Sequence, residues 1–134
     1  MTVITYGTFD LLHYGHIFLL KRASQLGDRL IVGVSADDFV LEKGKHVVFP
    51  LEKRMEMVRD LRFVDIVIPE YNMAQKIEDI RKYSADIFVL GSDYEQTFSE
   101  MPEYPVVAEM CKVVFLPRTS GISTTALKEK LPNS

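Results

Sequence analysis

Apolar runs of strand length and stretches with helical spacing alternate about five times along this chain. The runs are residues 3–6, 29–35, 64–68, 87–91 and 112–116. The first helical stretch covers 17–26, with apolar residues at 17, 19, 20, 23 and 26 and a stop at Gly27. The second covers 50–61, with Leu51, Met55, Val58 and Leu61 on one face. Further helices are predicted over 74–83, 106–111 and 124–130. Residues 37–46 read as a polar stretch containing lysines, Pro69-Glu70 as the close of the third strand, and 94–105 as irregular, with Pro102 and Pro105 inside. This order predicts βαβ units, hence an α/β fold with a single doubly wound parallel sheet of five strands. Run 29–35 is nearly all apolar, as a strand covered on both faces must be.

Sheets of this kind hold their ligands beyond the carboxyl ends of the strands, near the switch in strand order. The chemistry is therefore expected just after each strand. Composition narrows what that chemistry acts on. The 134 residues suit one domain, 1–134, with no repeat, linker or low-complexity tract. A net charge of −3 supplies no global field for nucleic acid, so any anion site must be local. No apolar run approaches the ~20 residues of a membrane span. The single cysteine, Cys111, beside an apolar run, reads as a buried thiol in a reducing compartment, and the N-terminus lacks a basic leader, so a cytoplasmic location is expected.

After the first strand comes Gly7-Thr8-Phe9-Asp10-Leu11-Leu12, then His13-Tyr14-Gly15-His16. Two histidines three apart at a helix start lie on nearly one side. Gly15 between them lets a phosphate approach the backbone, and Gly7 can leave the first-turn amides bare. The helix N-terminus adds unpaired N–H groups and a positive dipole end. Together these form an anion cradle whose imidazoles can donate to charge that builds on a phosphate oxygen. A zinc site is the rival reading, but zinc takes three or four protein ligands, and His46 is the only other histidine.

Lys43 and Lys45 follow the second strand in a Gly-containing loop that can close over phosphates. Arg54 on the second helix and Arg62 before the third strand can grip a phosphate bidentately, or serve in surface ion pairs. Gly91-Ser92-Asp93-Tyr94 ends the fourth strand, where Asp93 can meet a ligand hydroxyl or a metal-bound water. Beyond the fifth strand, Arg118-Thr119-Ser120-Gly121-Ile122-Ser123-Thr124-Thr125 leads into the last helix. Ser123 or Thr124 can cap that helix, and the same turn can offer N–H and hydroxyl donors to a phosphate.

The two ends together resemble one family. His13-Tyr14-Gly15-His16 matches the H-x-G-H motif of the nucleotidyltransferase superfamily that includes the cytidylyltransferases, and residues 118–125 are similar to its R-T-x-G-I-S-T-T signature. Residues 6–13, the turn 25–28 and Arg62-Phe63-Val64-Asp65 look most like the short bacterial glycerol-3-phosphate cytidylyltransferases. The resemblance implies a Rossmann-like nucleotidyltransferase fold and a direct in-line attack by an acceptor phosphate on the α-phosphate of CTP. Pyrophosphate leaves with Mg²⁺, without a covalent intermediate. It implies nucleotide contacts from Gly7, Thr8, Phe9, His13, His16, Arg62, Gly91, Asp93, Arg118, Thr119, Gly121, Ile122, Ser123 and Thr124. Acceptor contacts fall to Asp10, Asp37, Lys43, Lys45, Arg54 and Lys76, and Asp65 lies in a matching stretch. His13, His16, Lys43 and Arg118 would carry catalysis; no residue is assigned to a metal. A homodimer is implied, with a product feeding a surface polymer such as teichoic acid or capsule.

Asp93-Tyr94 stands where glycerol-phosphate members carry Asp-Trp, and the segment 99–110 is longer than theirs. Both lie where an acceptor could be recognised. Glycerol 3-phosphate leads. Phosphocholine, phosphoethanolamine, a phosphorylated amide such as phosphoglutamine, ATP in place of CTP, and a nucleotide-binding module without catalysis stay open.

Overall fold

In the computed structural model, which describes residues 1–92 and 95–117, five parallel strands form one sheet. The elements in chain order are β1 (Thr2–Gly7), α1 (Tyr14–Ser24), β2 (Arg29–Ser35), α2 (Asp37–Glu42), α3 (Leu51–Arg59) and β3 (Ile66–Glu70). They continue as α4 (Gln75–Tyr83), β4 (Ile87–Gly91), α5 (Glu95–Ser99), α6 (Glu103–Met110) and β5 (Lys112–Leu116). The strand order is β3-β2-β1-β4-β5. The chain winds outward from β1 to β3, then returns to lay β4 against the other side of β1. The switch point therefore lies between β1 and β4.

Alternation along the central strands builds two apolar layers. Val3, Leu30, Val32, Val34, Ile87 and Val89 face one side, where α1 and α3 cover them with Leu20, Ala23 and Val58. Ile4, Ile31 and Phe88 face the other, under Ile80 of α4, Phe98 of α5 and Val107 of α6. Helices on both faces make the sheet doubly wound, as the unbroken apolar runs require. Among the described residues no helix is long and apolar enough to cross a membrane.

Three expectations need correction. The third strand starts and ends two residues later than its apolar run suggested, and includes Pro69. Among the described residues only β2 pairs with it, at Val34↔Pro69, so the missing N–H faces away from the sheet, as an edge strand allows. Asp65 ends the turn before it: its carboxylate accepts the Leu30 N–H (2.7 Å) while its own N–H donates to the Leu30 carbonyl (3.0 Å). The polar stretch after β2 opens as α2, because Asp37 and Asp38 suit the positive end of a helix and Phe39 and Val40 are buried beneath it. Between residues 94 and 105 lie α5 and the start of α6; Pro105 sits in the first turn of α6, where a helix has no use for the missing donor. The helix expected over 124–130 lies outside the described residues.

Candidate active site

The first turn after β1 is backbone under strain. Phe9 (φ +53°) and Leu11 (φ +52°) both adopt the left-handed conformation, at a cost of about 1–2 kcal/mol each. Phe9 folds its ring back over Gly7, where a Cβ would meet that ring at 2.7 Å. Gly7 thus makes room for Phe9, which in turn stands edge-on to His16 with ring centroids 5.6 Å apart. Strain of this kind persists only where surroundings over-determine it.

His13 ends the turn as the N-cap of α1, with extended backbone. Its Nδ1 accepts the Gly15 N–H (3.0 Å), and the Nδ1 of His16 accepts the His13 N–H (3.3 Å). The pair forms a reciprocal cap in which two imidazoles replace the usual hydroxyl and carboxylate. Their rings stack at 3.9 Å. An Nδ1 that accepts places the proton of a neutral imidazole on Nε2. Both histidines are therefore set as Nε2–H donors, beside a helix N-terminus.

Next to this turn, at the carboxyl ends of β1, β2 and β3, lies a cationic cluster. Lys43 closes α2, and its Nζ lies 4.3 Å from the centre of the Phe39 ring. Desolvation pulls its pKa below the ordinary lysine value; Glu70 opposes this, while Lys76 and Lys45 add to it. Lys76 is buried on α4 and pairs with Glu70, the side chains being 6% and 2% exposed. The Lys76 Nζ also lies 4.7 Å from the Tyr6 ring centre. Glu70 accepts the Ser35 hydroxyl (3.1 Å), and the Tyr6 hydroxyl donates to Asp79 (2.8 Å). Burial first, then Asp79, pushes the Tyr6 pKa far up, so the phenol stays protonated.

Glu70, Tyr6 and Asp79 were missed by sequence reasoning. Glu70 read, with Pro69, as the close of the third strand; its position at the end of an apolar strand, in a sheet that binds at that edge, was the available signal.

Three residues expected at the acceptor are engaged within the protein. Arg54 is fully buried, and donates to the carbonyls of Thr8, Ser35 and Phe49 and to the Asp37 carboxylate. Asp10 accepts the amides of Val48 (2.6 Å) and Phe49 (3.0 Å). These side chains face their own protein, and Asp37 faces Arg54. Arg62 is exposed in the turn leading into β3. That turn precedes β3 at the amino edge of the sheet, whereas His13 follows β1 at the carboxyl edge. Gly91 ends β4 beside Leu116 of β5. Asp93, Arg118, Thr119, Gly121, Ile122, Ser123 and Thr124 lie outside the described residues.

A family model described as cytidylyltransferase-like matches residues 4–130. The chain is 50% identical over 129 residues to the glycerol-3-phosphate cytidylyltransferase of Bacillus subtilis (strain 168), covering 96% of this chain and 95% of that one. It is 47% identical over 129 residues to the enzyme of the same name from Staphylococcus aureus, covering 96% and 93%. A crystal structure described as the lipopolysaccharide core biosynthesis protein of Thermoplasma volcanium GSS1 superposes with a TM-score of 0.75 at 27% identity, covering 90% of this chain and 98% of that one. A switch-point turn that sets two histidines as donors, in a chain alike over nearly its whole length, belongs to the cytidylyltransferase-like family, and the protein is a nucleotidyltransferase.

Proposed function

We propose that the protein transfers CMP from CTP to sn-glycerol 3-phosphate, giving CDP-glycerol and pyrophosphate. The observation that carries this reading is the reciprocal cap of His13 and His16, with its two Nε2–H donors. The acceptor is a relative's substrate, and identity near 50% over 96% of the chain supports the transfer of that role.

An oxygen of the acceptor phosphate attacks the α-phosphorus of CTP. The bond from the α-phosphorus to the bridging oxygen breaks on the opposite side, and pyrophosphate departs with that oxygen. The attacking phosphate is already an anion, so no side chain has to remove a proton. What the reaction needs is alignment of two anions and stabilisation of charge. His13 and His16 would donate to the triphosphate, with the amides at the start of α1 beside them. The residues 118–125 would complete the grip. Lys43, Lys45 and Lys76 would offset repulsion between the two phosphates.

Among the described residues no three of His, Cys, Asp and Glu cluster so as to hold a metal. Mg²⁺ would enter as the counter-ion of CTP, the usual way it binds beside phosphates. A homodimer in the cytosol fits the exposed aromatic pair Tyr14 and Phe18 on α1 and the free thiol of Cys111. CDP-glycerol would supply a surface polymer such as teichoic acid or capsule.

Incubation with CTP or ATP and a panel of glycerol 3-phosphate, phosphocholine, phosphoethanolamine and phosphoglutamine tests the reading. Pyrophosphate is expected with CTP and glycerol 3-phosphate. Release with another acceptor alone, or with ATP alone, overturns it.

Lys43 adds a pH signature. Its depressed pKa means that the ammonium loses its proton below the ordinary value of 10.5, so the acceptor KM should climb on the alkaline side earlier than for a normal lysine. Lys43→Arg keeps its charge and should flatten that climb. An identical alkaline limb in both proteins would remove Lys43 from the phosphate site.

A further inference from the structure

We propose that Asp10 and Arg54 form a single latch that holds the histidine turn and the lysine loop in register, making Arg54 a positioning residue for the transfer. The inference rests on the reading of His13, His16, Lys43 and Lys45 as phosphate-binding groups. The turn and the loop are separate pieces of chain. The turn leaves β1 at Thr8 and reaches His13 through the left-handed residues Phe9 and Leu11. The loop leaves α2 at Lys43 and reaches α3 after Phe49.

Two side chains hydrogen-bond across this gap. Asp10 sits between the two strained residues, and accepts the Val48 and Phe49 amides with both carboxylate oxygens. Arg54 donates through Nε to the Phe49 carbonyl (2.8 Å) and through Nη1 to the Thr8 carbonyl (2.9 Å). The same Nη1 also reaches the Ser35 carbonyl (2.7 Å), and Nη2 reaches Asp37. One guanidinium therefore ties the turn, the end of β2, the start of α2 and the loop to one point.

Phe49 is held from both sides: its N–H by Asp10 and its carbonyl by Arg54. Thr8 and Asp10 flank Phe9, so the latch grips the strained residue on either side. A planar fork with five donors can serve carbonyls spread this way, and a lysine ammonium on a single atom cannot. With its guanidinium engaged by three carbonyls and the Asp37 carboxylate, Arg54 does not meet the acceptor; it sets the distance between the groups that do.

Two variants and two readouts test the latch. R54K keeps the charge facing Asp37 but loses most of the carbonyl contacts. D10N keeps one acceptor oxygen and turns an NH₂ toward the loop amides. At a temperature where circular dichroism shows both folded, each should lower kcat by roughly 10²-fold, the effect of an ångström-scale misplacement. The double variant should lose little more than the worse single one, because both act on one device. The second readout needs no turnover. Amide hydrogen exchange should quicken at Gly15, whose N–H is capped by His13, and at Val48 and Phe49 together in R54K, although Arg54 bonds to none of these amides.

Multiplying effects in the double variant, or a raised acceptor KM at unchanged kcat, would overturn the latch. So would Gly15 exchange that stays at the wild-type rate. If R54K does not fold, D10N carries the same exchange and kcat tests, and a rate within about twofold of wild type decides against the proposal. A wild-type protein that makes no CDP-glycerol removes the catalytic reading, and the exchange data still decide whether turn and loop are coupled.

Discussion

His16→Ala is expected to lower kcat by about 10²–10³-fold, the cost of removing a donor aimed at transition-state charge. Alanine also deletes the acceptor that caps the His13 N–H, so part of the loss could come from a frayed α1. His16→Gln separates the two roles. A glutamine three residues after the N-cap reaches back to the same N–H, as in an ordinary capping box. It should keep the melting temperature and still lose the rate. His13→Asn works in the same way, since asparagine caps well and can accept the Gly15 N–H. The alanine variants should be less stable by about 0.5–2 kcal/mol, the value of a cap, while the amide variants are not. Near wild-type turnover in His16→Gln would reduce the pair to a structural cap.

Glu70→Ala should cost about 3–5 kcal/mol of folding free energy, a fall in Tm of roughly 10–20 °C. Removing the carboxylate leaves the Lys76 ammonium buried without its partner, and leaves the Ser35 hydroxyl without an acceptor. The double variant Glu70→Leu/Lys76→Met should regain most of that stability, because an apolar pair of similar size avoids the desolvation penalty altogether. The two effects then separate. If Lys76 serves the acceptor phosphate, the stable double variant binds the acceptor poorly while its CTP affinity is kept. A double variant with unchanged acceptor KM would confine Lys76 to structure. Thermal unfolding followed by steady-state kinetics on both substrates makes the comparison.

Strands β1, β2 and β4 were legible because central parallel strands must be apolar on both faces, and the edge strand β5 because its run is equally apolar and stops at turns. The other edge strand, β3, was harder: Pro69 reads as a terminator, yet with a neighbour on one side it costs no hydrogen bond. α2 was hidden because Asp37 and Asp38 look like solvated loop, although acidic residues suit a helix start. The histidines could be found because their spacing and the preceding strand place them at one helix end. The direction of a polar side chain is another matter. Arg54 and Asp10 announce charge, but only tertiary packing shows that they point inward at carbonyls and amides. Arg62 sits close to a strand in sequence, but α3 reverses the chain and sets it down at the opposite edge. The Glu70–Lys76 pair depends on α4 folding back over the end of β3, which no local pattern encodes.

Transfer of isotope from glycerol 3-phosphate tests the central claim most directly. With CTP and an acceptor whose phosphate oxygens are ¹⁸O, mass spectrometry should find all of the label in CDP-glycerol, with one labelled oxygen in the new P–O–P bridge, and pyrophosphate should carry none. Label in pyrophosphate, or release of pyrophosphate without CDP-glycerol, would contradict direct attack of the acceptor on the α-phosphorus.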